Sequence, residues 1–410
     1  MTGAGRAGPC RTGPFRMLAL LLLVASAGGA QAHDPGAWGG VFRSRDHGAT
    51  WVSANRGPYL SGAVALAISP TDSDHLLLGT ESGLLRSRNG GRDWTIEAPA
   101  VVLGAVFALA FAADGRRAMA STGQGLLRSG ADGEWSAAPT PGGAAPARAI
   151  LRGAEDGRVY LAGRSGVYRS DDWGASWANA AAPAREPATA LVVVPGPPET
   201  LHAAARDGIR SSADGGRSWA VRAAGIPLDG IEALAADALD PARLWAADGA
   251  GLSRSDDNGG HWRRIGRPLP EPSTAVNGIA AGAEAIVLTT DRGLYRSVDG
   301  GESWTLPADG LPAHLEAGPL LRDPGDPATL YAGFALTPSR ELWRRAAENR
   351  GALAQVSAAS LAGSMFLLLL VAFGAVAALR RLRRFYPHTE PAAAPARKVL
   401  RREIGEETLL

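Results

Sequence analysis

The chain has 410 residues, with 42 Lys and Arg against 40 Asp and Glu, and its net charge of +2 lacks the basic excess that nucleic-acid binding requires. Its one cysteine, Cys10, excludes disulfides, thiolate-bound zinc and iron–sulfur clusters. With 53 glycines, 28 prolines and 20% charged residues, the composition suits short strands joined by tight turns.

In chain order, residues 1–32 have the three parts of a secretory signal. Arg6, Arg11 and Arg16 form a basic start, Met17 to Ala30 an apolar run, and Ala30-Gln31-Ala32 a small-residue cleavage site before His33. Cleavage after Ala32 is expected, and it removes Cys10.

Seven similar segments follow, each ending in tryptophan: Trp51, Trp94, Trp135, Trp177, Trp219, Trp262 and Trp304. Their successive spacings are 43, 41, 42, 42, 43 and 42 residues. Six segments share a Ser, an Asp two residues on and a Gly two beyond that: Ser44, Asp46, Gly48; Ser87, Asn89, Gly91; Ser170, Asp172, Gly174; Ser212, Asp214, Gly216; Ser255, Asp257, Gly259; and Ser297, Asp299, Gly301. Asn89 replaces Asp in the second segment, and the third, 129–135, is one residue short; both are expected to form looser hairpins. An Asp carboxylate can accept backbone N–H groups across a turn, Gly supplies a positive φ, and Trp can bury its ring against adjoining strands. Seven copies at equivalent places predict scaffolding.

Each segment is preceded by a strand such as GVFRS (40–44), and further upstream by two apolar runs such as AVALAISP (63–70) and HLLLGT (75–80). The unit reads as four strands, A to D, with the tryptophan segment in the C–D hairpin; such a unit is a propeller blade. The chain starts with C and D strands alone, while LEAGPLLRDP and TLYAGF near the C-terminus provide an A and a B strand that can complete that blade. ELWRR (341–345) competes with 40–44 as an eighth C strand. The expected fold is all-β, a seven-bladed β-propeller of four-stranded blades over 33–346, plus one C-terminal transmembrane helix.

After a linker at 347–356, residues 357–379 carry no charge over 23 positions, enough at about 1.5 Å per residue to cross a hydrocarbon core of about 30 Å. Arg380, Arg381, Arg383 and Arg384 follow, so the positive-inside rule places the basic tail 380–410 in the cytoplasm. The Ala/Arg/Gly-rich composition suggests a bacterium. The expected location is therefore the inner (plasma) membrane, single-pass, with the propeller periplasmic or extracellular.

The repeated segments match the Asp-box, or BNR repeat, Ser-x-Asp-x-Gly-x-Thr/Ser-Trp. By architecture the chain resembles the seven-bladed Asp-box propellers typified by photosystem II stability and assembly factors, and more distantly the sialidase-like propellers. The first resemblance implies a non-enzymatic, protein-binding scaffold for assembly or stability of an exported or membrane complex, although nothing indicates photosynthesis and the C-terminal anchor departs from that group. The second implies a glycoside hydrolase or glycan-binding propeller. Against hydrolysis, the Arg-Ile-Pro motif of sialidases is absent, and Arg43, Arg86, Arg128, Arg169, Arg254 and Arg296 repeat at one position in six blades, as structural residues do.

The candidate binding rim lies in the B–C turns, on the face opposite the boxes: Glu81, Arg164, Arg206, Asp207, Asp248, Asp291 and Arg292. No catalytic residue, cofactor or metal site is assigned, the seven histidines having no metal-ligand spacing. A protein partner is expected, a glycan is the alternative, and the membrane is engaged through the one C-terminal helix.

Overall fold

Each repeat folds as its apolar runs require. The structure, a computed structural model, describes residues 39–348 except 58–59, 61, 180–186, 206, 223–229, 308–309 and 313. The signal segment 1–32, residues 349–356 of the expected linker, the apolar segment 357–379 and the tail 380–410 lie outside the described residues, as does Arg206. The chain divides into two units, 1–348 and 349–410. No helix among the described residues is long and apolar enough to cross a membrane.

Blade one contains β3 (Ala65–Ser69), β4 (Asp72–Gly79), β5 (Leu84–Ser87) and β6 (Thr95–Glu97). Blade two follows with β7 (Val106–Phe111), β8 (Ala118–Thr122), β9 (Leu126–Ser129) and β10 (Trp135–Ala138). Blade three has β11 (Ala149–Arg152), β12 (Val159–Gly163), β13 (Gly166–Ser170) and β14 (Ala178–Asn179), and blade four β15 (Ala190–Val194), β16 (Thr200–Ala205), β17 (Gly208–Ser212) and β18 (Ala220–Val221). Blade five is β19 (Ala233–Ala236), β20 (Leu244–Asp248), β21 (Gly251–Ser255) and β22 (Arg263–Ile265). In blade six, β23 (Val276–Ala281), β24 (Ile286–Thr290) and β25 (Gly293–Ser297) are completed by a single bridge from Arg296 to Thr305.

Blade seven joins the two ends of the ring. It pairs β26 (Glu316–Arg322) and β27 (Leu330–Ala335) with β1 (Gly40–Ser44) and β2 (Val52–Ser53), in the order β2-β1-β27-β26. The register runs from Gly40 opposite Phe334 to Ser44 opposite Leu330. Residues 40–44 therefore provide the closing C strand. ELWRR is not an eighth strand: Ser339–Glu348 form a helix, α1. Its Leu342, Trp343, Ala346 and Ala347 recur at helical spacing, and Glu341 reaches forward to Arg344 and Arg345, a helical pairing.

The seven A strands form a closed inner ring, each touching the A strands of the blades beside it. Because blades stack face to face, both faces of a strand are buried, and alternate side chains enter different cores. In β4, Leu76 and Leu78 pack with Tyr331 of blade seven, whereas Leu77 packs with Val106 and Phe111 of blade two.

The C–D hairpins are hydrogen-bonded as their residue types dictate. In six of them the Ser Oγ accepts the Gly N–H at 2.8–2.9 Å. The Asp46, Asp172, Asp214, Asp257 and Asp299 carboxylates each accept the backbone N–H four residues on, at 2.7–3.0 Å. The turn needs positive φ at two successive residues. The second is Gly in all six hairpins, and the first is Gly in three and His47, Trp173 or Asn258 in the others.

The second hairpin is not loosened by Asn89. Asp93 and Asn89 exchange roles: Asn89 Oδ1 accepts the Asp93 N–H at 2.9 Å, and Asn89 Nδ2 donates to Asp93 Oδ2 at 2.7 Å. The short third hairpin is rebuilt around Gly130 and Glu134, and its Ser129 Oγ accepts the Ala118 N–H instead. Two of the repeated arginines join blades, Arg43 donating to the Gly90 carbonyl at 2.7 Å and Arg296 to that of His47 at 2.9 Å.

Two interactions make stability pH-dependent in separate windows. His75, 3% exposed, accepts from Arg86 Nη1 at 2.5 Å, and burial together with the Arg88 and Arg86 charges pushes its imidazole down to about 4. The unfolded chain takes up this proton near pH 6.5, so stability is full above that pH and is lost between it and about 4. At about 1.4 kcal/mol per pH unit the loss is roughly 3 kcal/mol. The hairpin carboxylates follow at lower pH. Hydrogen bonds from Ser176 hold Asp172 down to about 2, so its contribution is present above the ordinary carboxylate range and lost as pH falls towards 2. Melting temperature measured against pH is expected to fall in these two stages, with His75→Gln shrinking the first and Asp172→Ala the second. At neutral pH, Asp172→Ala is expected to cost about 1 kcal/mol, because its carboxylate is exposed.

Candidate functional site: the helix-covered mouth of the channel

Antiparallel order puts the C–D hairpins and A–B turns on one face of the ring, and the B–C turns and D–A connections on the other. The chain leaves β27 on this second face, and α1 lies there across the channel mouth. Trp343 is its anchor: the ring packs with Val64 and Phe107, and Nε1 donates to the Pro146 carbonyl at 3.0 Å. Arg340 donates to the Val276 carbonyl at 3.1 Å and lies 3.4 Å from Glu232. At the far end Arg164 Nη1 donates to the Ala347 carbonyl at 2.8 Å while its Nε holds the Ala145 carbonyl, so a cation satisfies one of the last helical carbonyls.

Three inner strands are irregular where α1 docks. Register shifts occur at Val106/Ala108 in β7, Val276/Gly278 in β23 and Ala317/Leu320 in β26. A bulge re-aims the side chain it leaves unpaired. Phe107 thereby meets Trp343, and Asn277 donates to both Glu316 Oε1 and the Ala317 carbonyl at 2.9 Å.

Beneath α1 the channel encloses a cavity of about 340 Å³ with Leu66, Leu109, Leu151 and Leu321 among its apolar walls and Arg148 as a charged one. The guanidinium carbon of Arg148 sits 3.7 Å from the Trp343 ring centroid. Burial and the neighbouring Arg340 push its pKa down to about 10.

The sequence-predicted rim occupies the same face, and most of it is engaged within the blades. Asp248 is buried, accepts the Ala250 and Gly251 N–H groups, and forms a two-pronged pair with Arg264 at 2.9 Å. Asp207 pairs with Arg210 at 2.6 Å, Arg292 with Glu271 at 2.6 Å, and Asp291 accepts the Ala275 N–H at 2.9 Å. Arg164 holds α1, and Glu81 is half-buried in the blade-one turn. The aspartates are thus turn-builders, and the structure does not gather them into one carboxylate site. Sequence reasoning missed α1, Trp343 and Arg148; the apolar spacing from Leu342 to Ala347 is the signal that marks the helix.

No family model matches the chain, and no curated protein matches it. Solved structures do. YCF48 bound to D1 peptide is 18% identical with a TM-score of 0.54, covering 69% of this chain and 95% of that one. YCF48 from Cyanidioschyzon merolae is 17% identical over 68% of this chain and 97% of its own, with a TM-score of 0.49. An ancestral GH74 enzyme is 17% identical with a TM-score of 0.51 over 69% of this chain, which spans 46% of the enzyme's length. With 1154 matching chains, the likeness identifies a seven-bladed propeller fold and selects no function.

Trp343→Ala is expected to remove the anchor of α1 while leaving the ring closed. Truncating a buried Trp costs about 3–5 kcal/mol, here concentrated in docking of one helix. Limited trypsin digestion should then cut after Arg344 or Arg345 much faster than in the parent chain, with the main thermal transition little changed.

Proposed function

We propose that the protein is a membrane-tethered, extracytoplasmic propeller that binds a protein partner on the face carrying α1. In this reading it is a non-enzymatic scaffold for assembly or stability of an exported or membrane complex. The observation that carries the proposal is the chemistry of that face. Its candidate aspartates are held by their own blades, whereas Leu103 and Leu336 are exposed by 64% and 54%. Exposed leucines among satisfied polar turns suit a protein surface better than a hydrolytic cleft. That a propeller of this fold was solved as YCF48 bound to D1 peptide supports polypeptide binding as a use of the fold.

The tether rests on the uncharged stretch 357–379 and the arginines after it, and export on the signal-like residues 1–32. We place the protein in a bacterial inner membrane with the propeller outside the cytoplasm and residues 380–410 within it.

Three experiments test this reading. In cells, an impermeant maleimide is expected to label Arg345→Cys and not Glu407→Cys; labelling of the tail alone overturns the topology. Tail-tagged protein drawn from membranes in mild detergent is expected to retain a defined partner, which Leu103→Asp with Leu336→Asp releases at unchanged melting temperature. Undiminished recovery by that variant, or no partner at all, overturns the scaffold. Turnover of a sialoside or polysaccharide that disappears on changing Glu81 or Asp291 would replace it with a glycoside hydrolase.

A further inference from the structure

The channel contains a cation that the protein itself leaves unmatched. Arg148 precedes β11 and lines the cavity beneath α1, with Nε fully enclosed and unbonded. Among the described residues no carboxylate pairs with it, and the charge acting on it is the repulsive one of Arg340. Of the other charged walls, Arg340 and Glu232 face each other at 3.4 Å, so Arg148 leaves the cavity with one uncompensated positive charge.

Two further spaces lie along the A strands towards the opposite face. A second space of about 270 Å³ shares Leu66, Leu109 and Leu321 with the first and ends at Arg152 and Arg322. A third shares Pro70 and Arg152 with the second and opens among the A–B turns at Gly153 to Asp156. Arg148 immediately precedes β11 and Arg152 ends it, and each lines one of the first two spaces. Guanidinium groups thus line these spaces from the A–B turns to the chamber beneath α1.

We infer that the channel beneath α1 is a binding site for a small organic monoanion, a carboxylate on an apolar body, whose charge meets Arg148 and whose body lies against the leucine walls. A guanidinium presents a planar fork of donors that matches a carboxylate. Trp343 stacks on the face of that fork and leaves its edge for the ligand. The volume lies near the lower end of small-molecule pockets, roughly 300–1,000 Å³, which favours a ligand of one ring or a short chain. Neither the partner surface nor the membrane tether is needed for this site.

The full chain in lipid nanodiscs, titrated with para-fluorobenzoate and followed by fluorine NMR against empty nanodiscs, provides the test. Saturable broadening is expected, weakened about tenfold or more by Arg148→Gln and lost in Leu151→Trp, which fills the lumen with Arg148 intact. The neutral para-fluorobenzamide should not bind, and acetate should displace the probe poorly. Melting temperatures of both variants near that of the parent show that the ring persists. Absence of saturable binding at several millimolar, equal binding by Arg148→Gln, or equal binding of the amide overturns the inference; displacement by acetate as effective as by unlabelled benzoate overturns the apolar part of it.

Discussion

A ring of stacked sheets has two raw ends until something joins them, and here the join is the pairing of Gly40–Ser44 with Leu330–Ala335. The strand does more than complete hydrogen bonds. Val41 belongs to the core shared with blade one, and Phe42 to the core shared with blade six, where its ring meets Phe334 edge-on at 5.2 Å. Period-two alternation thus lets one five-residue strand seal two blade interfaces. Without it, blades one and six would each expose an apolar face, and the closed inner ring that bounds the channel would open. The same join determines where α1 lies, because β27 ends on the B–C face and only residues 336–338 separate it from the helix.

Symmetry and its breaking divide the molecule into scaffold and site. The hairpins obey the repeat so closely that Asn89 is compensated within its own turn by Asp93, which restores the hydrogen bonds with donor and acceptor exchanged. Apart from the shortened third hairpin and an irregularity at Ile68/Ser69, what breaks the repeat lies at one channel mouth: the bulges beside Phe107 and Asn277, the irregularity before Leu320, and α1. A sevenfold structure can offer a specific surface only where copies differ.

The extent to which this was legible in the sequence follows from that division. Blade number, strand order and mixed-blade closure rest on features repeated at a period near 42, and repetition separates them from chance. ELWRR competes with 40–44 in the sequence because its apolar pair followed by arginines imitates the C strand; it lacks both the preceding Gly and a following box, and its continuation through Ala346 and Ala347 is helical. The rim turns are read from their place between the B and C runs, but partners such as Arg264 for Asp248 and Glu271 for Arg292 come from D strands and D–A connections that have no repeated signature. Arg148 carries no motif. Its position depends on a helix that meets it from residues almost two hundred positions away.

Arg148 is treated unlike the carboxylate-paired arginines of the blades. Arg86 is matched by Glu97, Arg158 by Asp171 and Arg243 by Asp256, each pair within 3 Å, so that the cost of covering a cation is offset locally. Arg148 and Arg322 depart from this pattern, and burial pushes the pKa of both downward. Both line the channel. Stacking on Trp343 returns part of the cost for Arg148 while fixing its plane. One side chain therefore holds the cover in place and keeps hydrogen-bond donors towards an apolar chamber. Removing the helix would free the guanidinium to water and dissolve that arrangement, so the cover and the charge in the chamber form a single device.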